Sequence, residues 1–125
     1  MAFQPVDFFK LALELHQAAT KTSSEASRRA CVSRAYYSAF LEARTKASIN
    51  ATSVSVHQDV IRYYQTNAQA HPSIGNSLKD LHEDRKDADY DLKKTCSAQI
   101  SGKALTQASK VLRHFGALPQ NAPKT

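Results

Sequence analysis

The residues best equipped for chemistry lie between Leu78 and Asp91, in the run Leu78-Lys79-Asp80-Leu81-His82-Glu83-Asp84-Arg85-Lys86-Asp87-Ala88-Asp89-Tyr90-Asp91. Leu78, Leu81, His82, Arg85, Asp89 and Leu92 recur at three-four spacing, which predicts one face of a helix. That puts the Arg85 guanidinium on the leucine face. An unpaired charge there is costly, so Arg85 must reach water or find a partner. Asp89, one turn on, is the nearest carboxylate, although Arg before Asp is the weaker order against the helix dipole. Two readings stand side by side. Arg85 and Asp89 form a structural pair bridging helices, or Arg85 lines a groove and grips a phosphate through two parallel N–H bonds. His82, one turn before Arg85, is either a satisfied core imidazole or a base.

Elsewhere the chemistry is sparser. His16, His57, His71 and His114 form no H-x-x-x-H pair of the kind a helical zinc site uses. Glycines at 75, 102 and 116 are too scattered for a phosphate-binding loop, and no Ser-His-Asp set can be argued from spacing. No metal or other cofactor is expected. Cys31 and Cys96 form no Cys-x-x-Cys and suit two free, buried thiols in a reducing compartment; a single disulfide is the alternative. Tyr36-Tyr37 and Tyr63-Tyr64 are either core or platforms for nucleic-acid bases. Lys103, Lys110 and Arg113 share the polar side of the last predicted helix and are candidate nucleic-acid contacts, the alternative being a solvated helix face.

Charge distribution sharpens this last point. The 125 residues carry 17 Lys+Arg against 11 Asp+Glu, a net +6. Residues 79–91 hold six acids and three bases, so the rest of the chain is at +9, and residues 92–125 have six bases and no acid. A basic surface attracts polyanions at long range. No run approaches the ~18 apolar residues of a membrane span. The stretch from Met1 to Lys21 carries Asp7 and Glu14 and lacks the basic and apolar regions of a signal peptide, so a cytoplasmic location is expected.

Positioning these residues falls to helices. Only 3 Gly, 4 Pro and no Trp argue for a few long helices over a many-stranded sheet. A chain of this length buries roughly two-thirds of its unfolded surface and needs no staple. Five helices are predicted, giving an all-α antiparallel bundle. The first spans Pro5 to Thr20, with Phe8, Leu11, Ala12, Leu15 and Ala19 inward. The second starts at the capping box Thr22-Ser23-Ser24-Glu25 and reaches Ile49. It has two apolar strips: Ala26, Ala30, Ser33, Tyr37 and Leu41, and Val32, Tyr36, Ala39, Ala43 and Ala47. A second strip suits a central bundle helix or a face that meets another subunit. The third begins near Ser55, with Val56, Val60, Tyr63 and Tyr64 inward. His71-Pro72 and Gly75-Asn76 interrupt, and the fourth spans Ser77 to Tyr90. The fifth runs from Ser97 to Phe115, with Gly116 as its left-handed cap and Pro119 beyond.

Two stretches together resemble one family. Ser33-Arg34-Ala35-Tyr36-Tyr37-Ser38-Ala39-Phe40 resembles the S-R-A-Y-Y-A-x-F segment of HEPN-domain proteins. Leu81-x-x-x-Arg85-x-x-Ala88-Asp89-Tyr90-Asp91 is similar to the R-x-x-A-D-Y-D signature of a bacterial and archaeal branch of that superfamily. The His57 to Tyr64 stretch fits as well, and the resemblance covers residues 5–116. It implies a four- or five-helix up-down bundle over 5–116 that usually forms a homodimer, followed by a flexible tail over 117–125.

Many such proteins are metal-independent ribonucleases in toxin–antitoxin, phage-defence and RNA-processing systems. Others are paired with a nucleotidyltransferase that modifies a tyrosine near the motif, here Tyr90. Some bind a nucleotide or a partner protein without catalysis. The ribonuclease signature is an Arg followed after four to six residues by a His. Arg85 matches the Arg, whereas the His slot falls on Tyr90, Asp91 or Leu92. RNA cleavage needs a base for the 2′-OH and an acid for the leaving oxygen, and imidazole suits both near neutrality. The resemblance thus implies an altered-site module binding nucleotide, RNA or a partner protein. The alternative is a ribonuclease using Arg85 with His82, Asp89 or Tyr90.

Overall fold

The computed structural model describes residues 3–50, 54–67 and 71–119. Helix α1 (Pro5–Thr22) opens on a proline whose missing N–H is not needed in a first turn. Asp7 stabilises that end, its carboxylate accepting the Gln4 N–H at 3.2 Å. Ser23 closes α1 in the left-handed region at φ 55°, and α2 (Glu25–Lys46) starts at once. Its cap is Ser24, whose Oγ accepts from the Ser27 N–H at 3.1 Å. Thr22, the first residue of the predicted capping box, therefore belongs to α1. The second helix also stops at Lys46, short of Ile49, because the chain turns there: Ile49 O accepts from Arg44 Nε at 2.8 Å.

Helix α3 (Val56–Thr66) buries Val60, Ile61 and Tyr64, leaving Tyr63 exposed. Helix α4 (Pro72–Tyr90) begins before the predicted Ser77. Pro72 initiates the helix instead of breaking it, and Gly75 lies inside it. The glycine permits a close crossing: a Cβ there would sit 2.7 Å from the Gln65 backbone N and 3.0 Å from the Tyr64 carbonyl carbon. Helix α5 (Ala98–His114) is capped by Ser97 Oγ, which accepts from the Ile100 N–H at 3.3 Å. Gly116 supplies the expected left-handed stop at φ 78°. Beyond it, Ala117 and Leu118 pack against the core, and the Ala117 N–H reaches Leu112 O at 2.8 Å. The expected tail thus stays docked at its start, and its residues 120–125 lie outside the described ones.

The protein is an all-α helical bundle, with no strand among the described residues. Helix α2 packs against each of the other four. Its strip Val32, Tyr36, Ala39 and Ala43 is fully buried, and its small residues let neighbouring backbones approach. The second strip is graded: Ser33 is buried, Tyr37 and Leu41 are half-buried, and Ala26 is exposed. Leu78 and Leu81 from α4 and Leu105, Ala108, Val111 and Leu112 from α5 complete the core. Leu11 and Leu92 depart from expectation and are exposed. On α1, Phe9 faces the core in place of Leu11, and Leu92 follows the end of α4. No helix among the described residues is long and apolar enough to cross a membrane. Both cysteines are free and buried, and burial pushes the Cys31 thiol up to about 12.

Candidate functional site

The sequence-predicted residues meet along the seam between α2 and α4. Arg85 is held on two sides, with a side chain only 14% exposed. Its Nε lies 3.0 Å from Asp89 Oδ2, an ion pair in which the N–H is not aimed at the oxygen. One terminal nitrogen donates to the Tyr37 hydroxyl at 2.8 Å. Asp89 Oδ2 also accepts a long 3.5 Å bond from Ser33 Oγ, which itself accepts from Arg34 at 3.0 Å. The geometry matches the first sequence reading of Arg85, a pair with Asp89 that also bridges α4 to α2 through Tyr37. Only Arg85 pairs with the Asp89 carboxylate; Arg34 reaches the Ser33 hydroxyl, and no ion pair for it is seen among the described residues.

Aromatic rings and these cations form a series that starts at Phe3, just ahead of α1, and crosses α1, α2 and α4. Phe3 packs edge-on against Phe8 with ring centroids 4.7 Å apart. Arg34 lies 5.0 Å from the Phe8 centroid and 5.4 Å from that of Tyr37. Arg85 lies 5.2 Å from the Tyr37 centroid and 5.5 Å from that of Tyr90. The order along the surface is Phe3, Phe8, Arg34, Tyr37, Arg85, Tyr90. Each guanidinium–ring contact contributes roughly 0.5–1 kcal/mol where exposed and more where desolvated. The two end rings are open, Phe3 at 59% and Tyr90 at 70% exposure.

Behind the seam lies a second cluster, of neutral imidazoles. His57 stacks on Phe40 at 4.4 Å and on His82 at 5.2 Å. The buried Tyr36 hydroxyl is 2.5 Å from His57 Nδ1. Burial raises the Tyr36 phenol well above its ordinary value and lowers His57, with Arg85 and Arg44 adding to the latter. Both partners are therefore neutral near pH 7, and a single proton is shared in the hydrogen bond between them. Burial, followed by the charges of His57, Lys86 and Arg85, brings His82 down to about 4. Its Nδ1 is buried without a hydrogen-bond partner. No hydrogen bond joins His82 to Arg85 among the described residues.

The start of α2 fixes the end of α4. Arg29 donates to the carbonyls of Asp87, Ala88, Asp91 and Lys94 and to the Glu25 carboxylate. Four of these acceptors are carbonyls at or beyond the C-terminal turn of a helix, where a cation is favoured. Glu25 Oε2 also accepts from the Cys96 N–H at 2.9 Å, and Arg28 Nε donates to Cys96 O at 2.6 Å. The turn carrying Asp89, Tyr90 and Asp91 is thus tied to α2 from both sides.

The basic residues of α5 are not gathered at the seam. Lys103 pairs with Asp84 at 3.4 Å. Lys110 and Arg113 line a surface hollow with His71, Ser73 and His114. Sequence reasoning weighed Tyr37 as core or as a stacking platform and passed over Arg34, Phe8 and His57 as site residues. Arg34 and Tyr37 had a signal, because both fall in the Arg34-Ala35-Tyr36-Tyr37 run; Phe8 had none beyond its place on α1. No group of three or more His, Cys, Asp or Glu suited to a metal ion occurs among the described residues. Comparison of the chain with protein-family models, curated proteins and solved structures finds no match.

Proposed function

We propose that the protein is a HEPN-like module that binds single-stranded RNA along the α2–α4 seam without cleaving it. The observation that carries this reading is the series of rings and guanidiniums from Phe3 to Tyr90. Bases stack on aromatic faces whatever their sequence, and guanidiniums between the rings meet the phosphates. The open ends at Phe3 and Tyr90 give bases somewhere to sit. In this reading the module works as a cytoplasmic homodimer in a defence or toxin–antitoxin system, with a nucleotidyltransferase or another protein as its partner.

The ribonuclease reading uses the same Arg85 with His82, Asp89 or Tyr90. Its weakness is the proton. His82 sits at about 4 and is turned into the imidazole cluster, so it is a weak base at neutral pH. Asp89 is already engaged by Arg85. One experiment separates the two. Labelled single-stranded RNA is titrated with wild type, Tyr90→Ala and Arg34→Gln in metal-free buffer, and the RNA is then run on a denaturing gel beside a sample incubated with Arg85→Ala. Binding that weakens roughly 5- to 100-fold in Tyr90→Ala, with intact RNA, is expected from the loss of one stacked base. Cleavage by wild type that vanishes in Arg85→Ala would instead establish the ribonuclease. Equal affinity of all three proteins overturns the seam as an RNA surface.

A further inference from the structure

Helices α3 and α4 enclose a groove of about 260 Å³. Three cations line it, Arg62, Lys79 and Lys86, against one carboxylate, Glu83. None of the three makes an ion pair among the described residues. His82 forms part of the wall, is only 8% exposed, and keeps Nδ1 without a partner. Buried polar groups are normally satisfied, so an unpaired nitrogen on an imidazole that belongs to the wall of a basic groove points to hydrogen bonding that the fold itself does not supply.

We propose that this groove binds a phosphomonoester dianion, with Arg62, Lys79 and Lys86 as its charge partners and His82 as the imidazole in its wall. Size and charge agree. Drug-sized ligands occupy roughly 300–1,000 Å³, so this groove fits a smaller group. Its lining is mostly polar, with Gln58 adding an amide, and its surplus positive charge matches an anion. The free protein holds His82 neutral; a dianion beside the ring favours the imidazolium, so binding draws a proton onto it. The proposal does not rest on RNA binding at the seam, because Arg62, Lys79 and Lys86 take no part in the aromatic series. The phosphate belongs either to a free small molecule or to an RNA terminus.

Calorimetric titration in phosphate-free buffer with inorganic phosphate, with ribose 5-phosphate and with a short RNA bearing or lacking a 5′-phosphate tests the site. Saturable binding of inorganic phosphate is expected, weakened about tenfold for each cation removed in Arg62→Gln and Lys86→Gln. Lys110→Gln, on α5, should bind as wild type. Nitrogen-detected NMR of the imidazoles should show His82 alone gaining a proton on titration. Preference for the phosphorylated RNA, lost in Arg62→Gln, would place an RNA end in the groove; ribose phosphate binding as tightly as that RNA would make a free phosphomonoester the ligand. Failure to saturate with any of these probes, or equal affinity in Arg62→Gln and Lys86→Gln, overturns the proposal. Both substitutions are on the surface, and circular dichroism of each variant separates lost binding from lost fold.

Discussion

The Tyr36 hydroxyl and His57 Nδ1 are hydrogen-bonded across 2.5 Å, and His57 in turn stacks on His82 with ring planes 17° apart. This places two imidazoles in series behind Arg85, both below their ordinary pKa of 6.5, with His82 at about 4. The fold therefore favours their neutral forms.

A pH dependence follows. Below pH 6.5 the unfolded chain protonates its histidines while the folded chain still excludes the proton, so the unfolded state binds more protons and is favoured. For His82 the window runs from pH 6.5 down to about 4. Stability there should fall as pH falls, by up to about 1.4 kcal/mol per pH unit from this residue. Urea unfolding at pH 7.5, 6.0 and 5.0 measures it. In His82→Gln the slope should flatten, and an unchanged slope would mean that other groups govern acid stability.

Gly75 yields a prediction whose sign opposes helix propensity. Gly to Ala inside a helix normally stabilises by roughly 0.5–1 kcal/mol. Here the added methyl would meet the Gln65 backbone N at 2.7 Å, and backbone cannot swing aside. Gly75→Ala should destabilise by about 1–3 kcal/mol as α3 and α4 are forced apart. Comparison with Gly102→Ala is the control, because the nearest neighbour to a Cβ there is His16 Cε1 at 3.9 Å, an ordinary van der Waals contact. Thermal melts of the two should move in opposite directions.

Arg29 should prove more important than a half-buried helix residue usually is. It satisfies carbonyls of Asp87, Ala88, Asp91 and Lys94 together, with its side chain 17% exposed. Arg29→Ala leaves them without their cation and should cost about 2–3 kcal/mol. Arg29→Lys should recover little, since a single ammonium cannot span that fork of acceptors. Amide exchange in residues 87–96 should accelerate in both variants more than elsewhere. Uniform acceleration would mean that Arg29 supports the whole bundle and has no special hold on this turn.

Periodicity makes the helices legible, and it also places Arg85 and Asp89 one turn apart on the same face of α4. It failed where a residue has two meanings. His71-Pro72 and Gly75 resemble a break in a sequence, yet proline starts α4 and glycine serves a backbone crossing. Only the position of α3 distinguishes these roles. The cap of α2 slipped from Thr22 to Ser24 because three adjacent hydroxyl residues are equivalent until Ser23 adopts a left-handed turn. The ring–guanidinium series was hidden for another reason. Its members come from Phe3 and from α1, α2 and α4, and no spacing within one helix reports that Phe8 and Arg85 flank the same pair of side chains. Likewise, Lys103 looked like a free cation on α5, and its engagement with Asp84 depends on how two helices pack.

Salt separates the two kinds of contact along the seam. Each phosphate neutralised on single-stranded nucleic acid contributes about −0.7 to the slope of log K against log salt concentration. Arg34→Gln removes one cation and leaves the rings in place, so the slope should become shallower by about 0.7, with lower affinity at low salt. Tyr90→Ala removes a ring and no charge. Its affinity should drop roughly 5- to 100-fold while the slope stays that of wild type. Fluorescence anisotropy with a labelled oligonucleotide between 50 and 300 mM salt, roughly the range over which such slopes are read, distinguishes them. If Arg34→Gln and Tyr90→Ala change the slope alike, or neither changes affinity, the rings and guanidiniums of the seam serve the fold and the RNA surface lies elsewhere on the bundle.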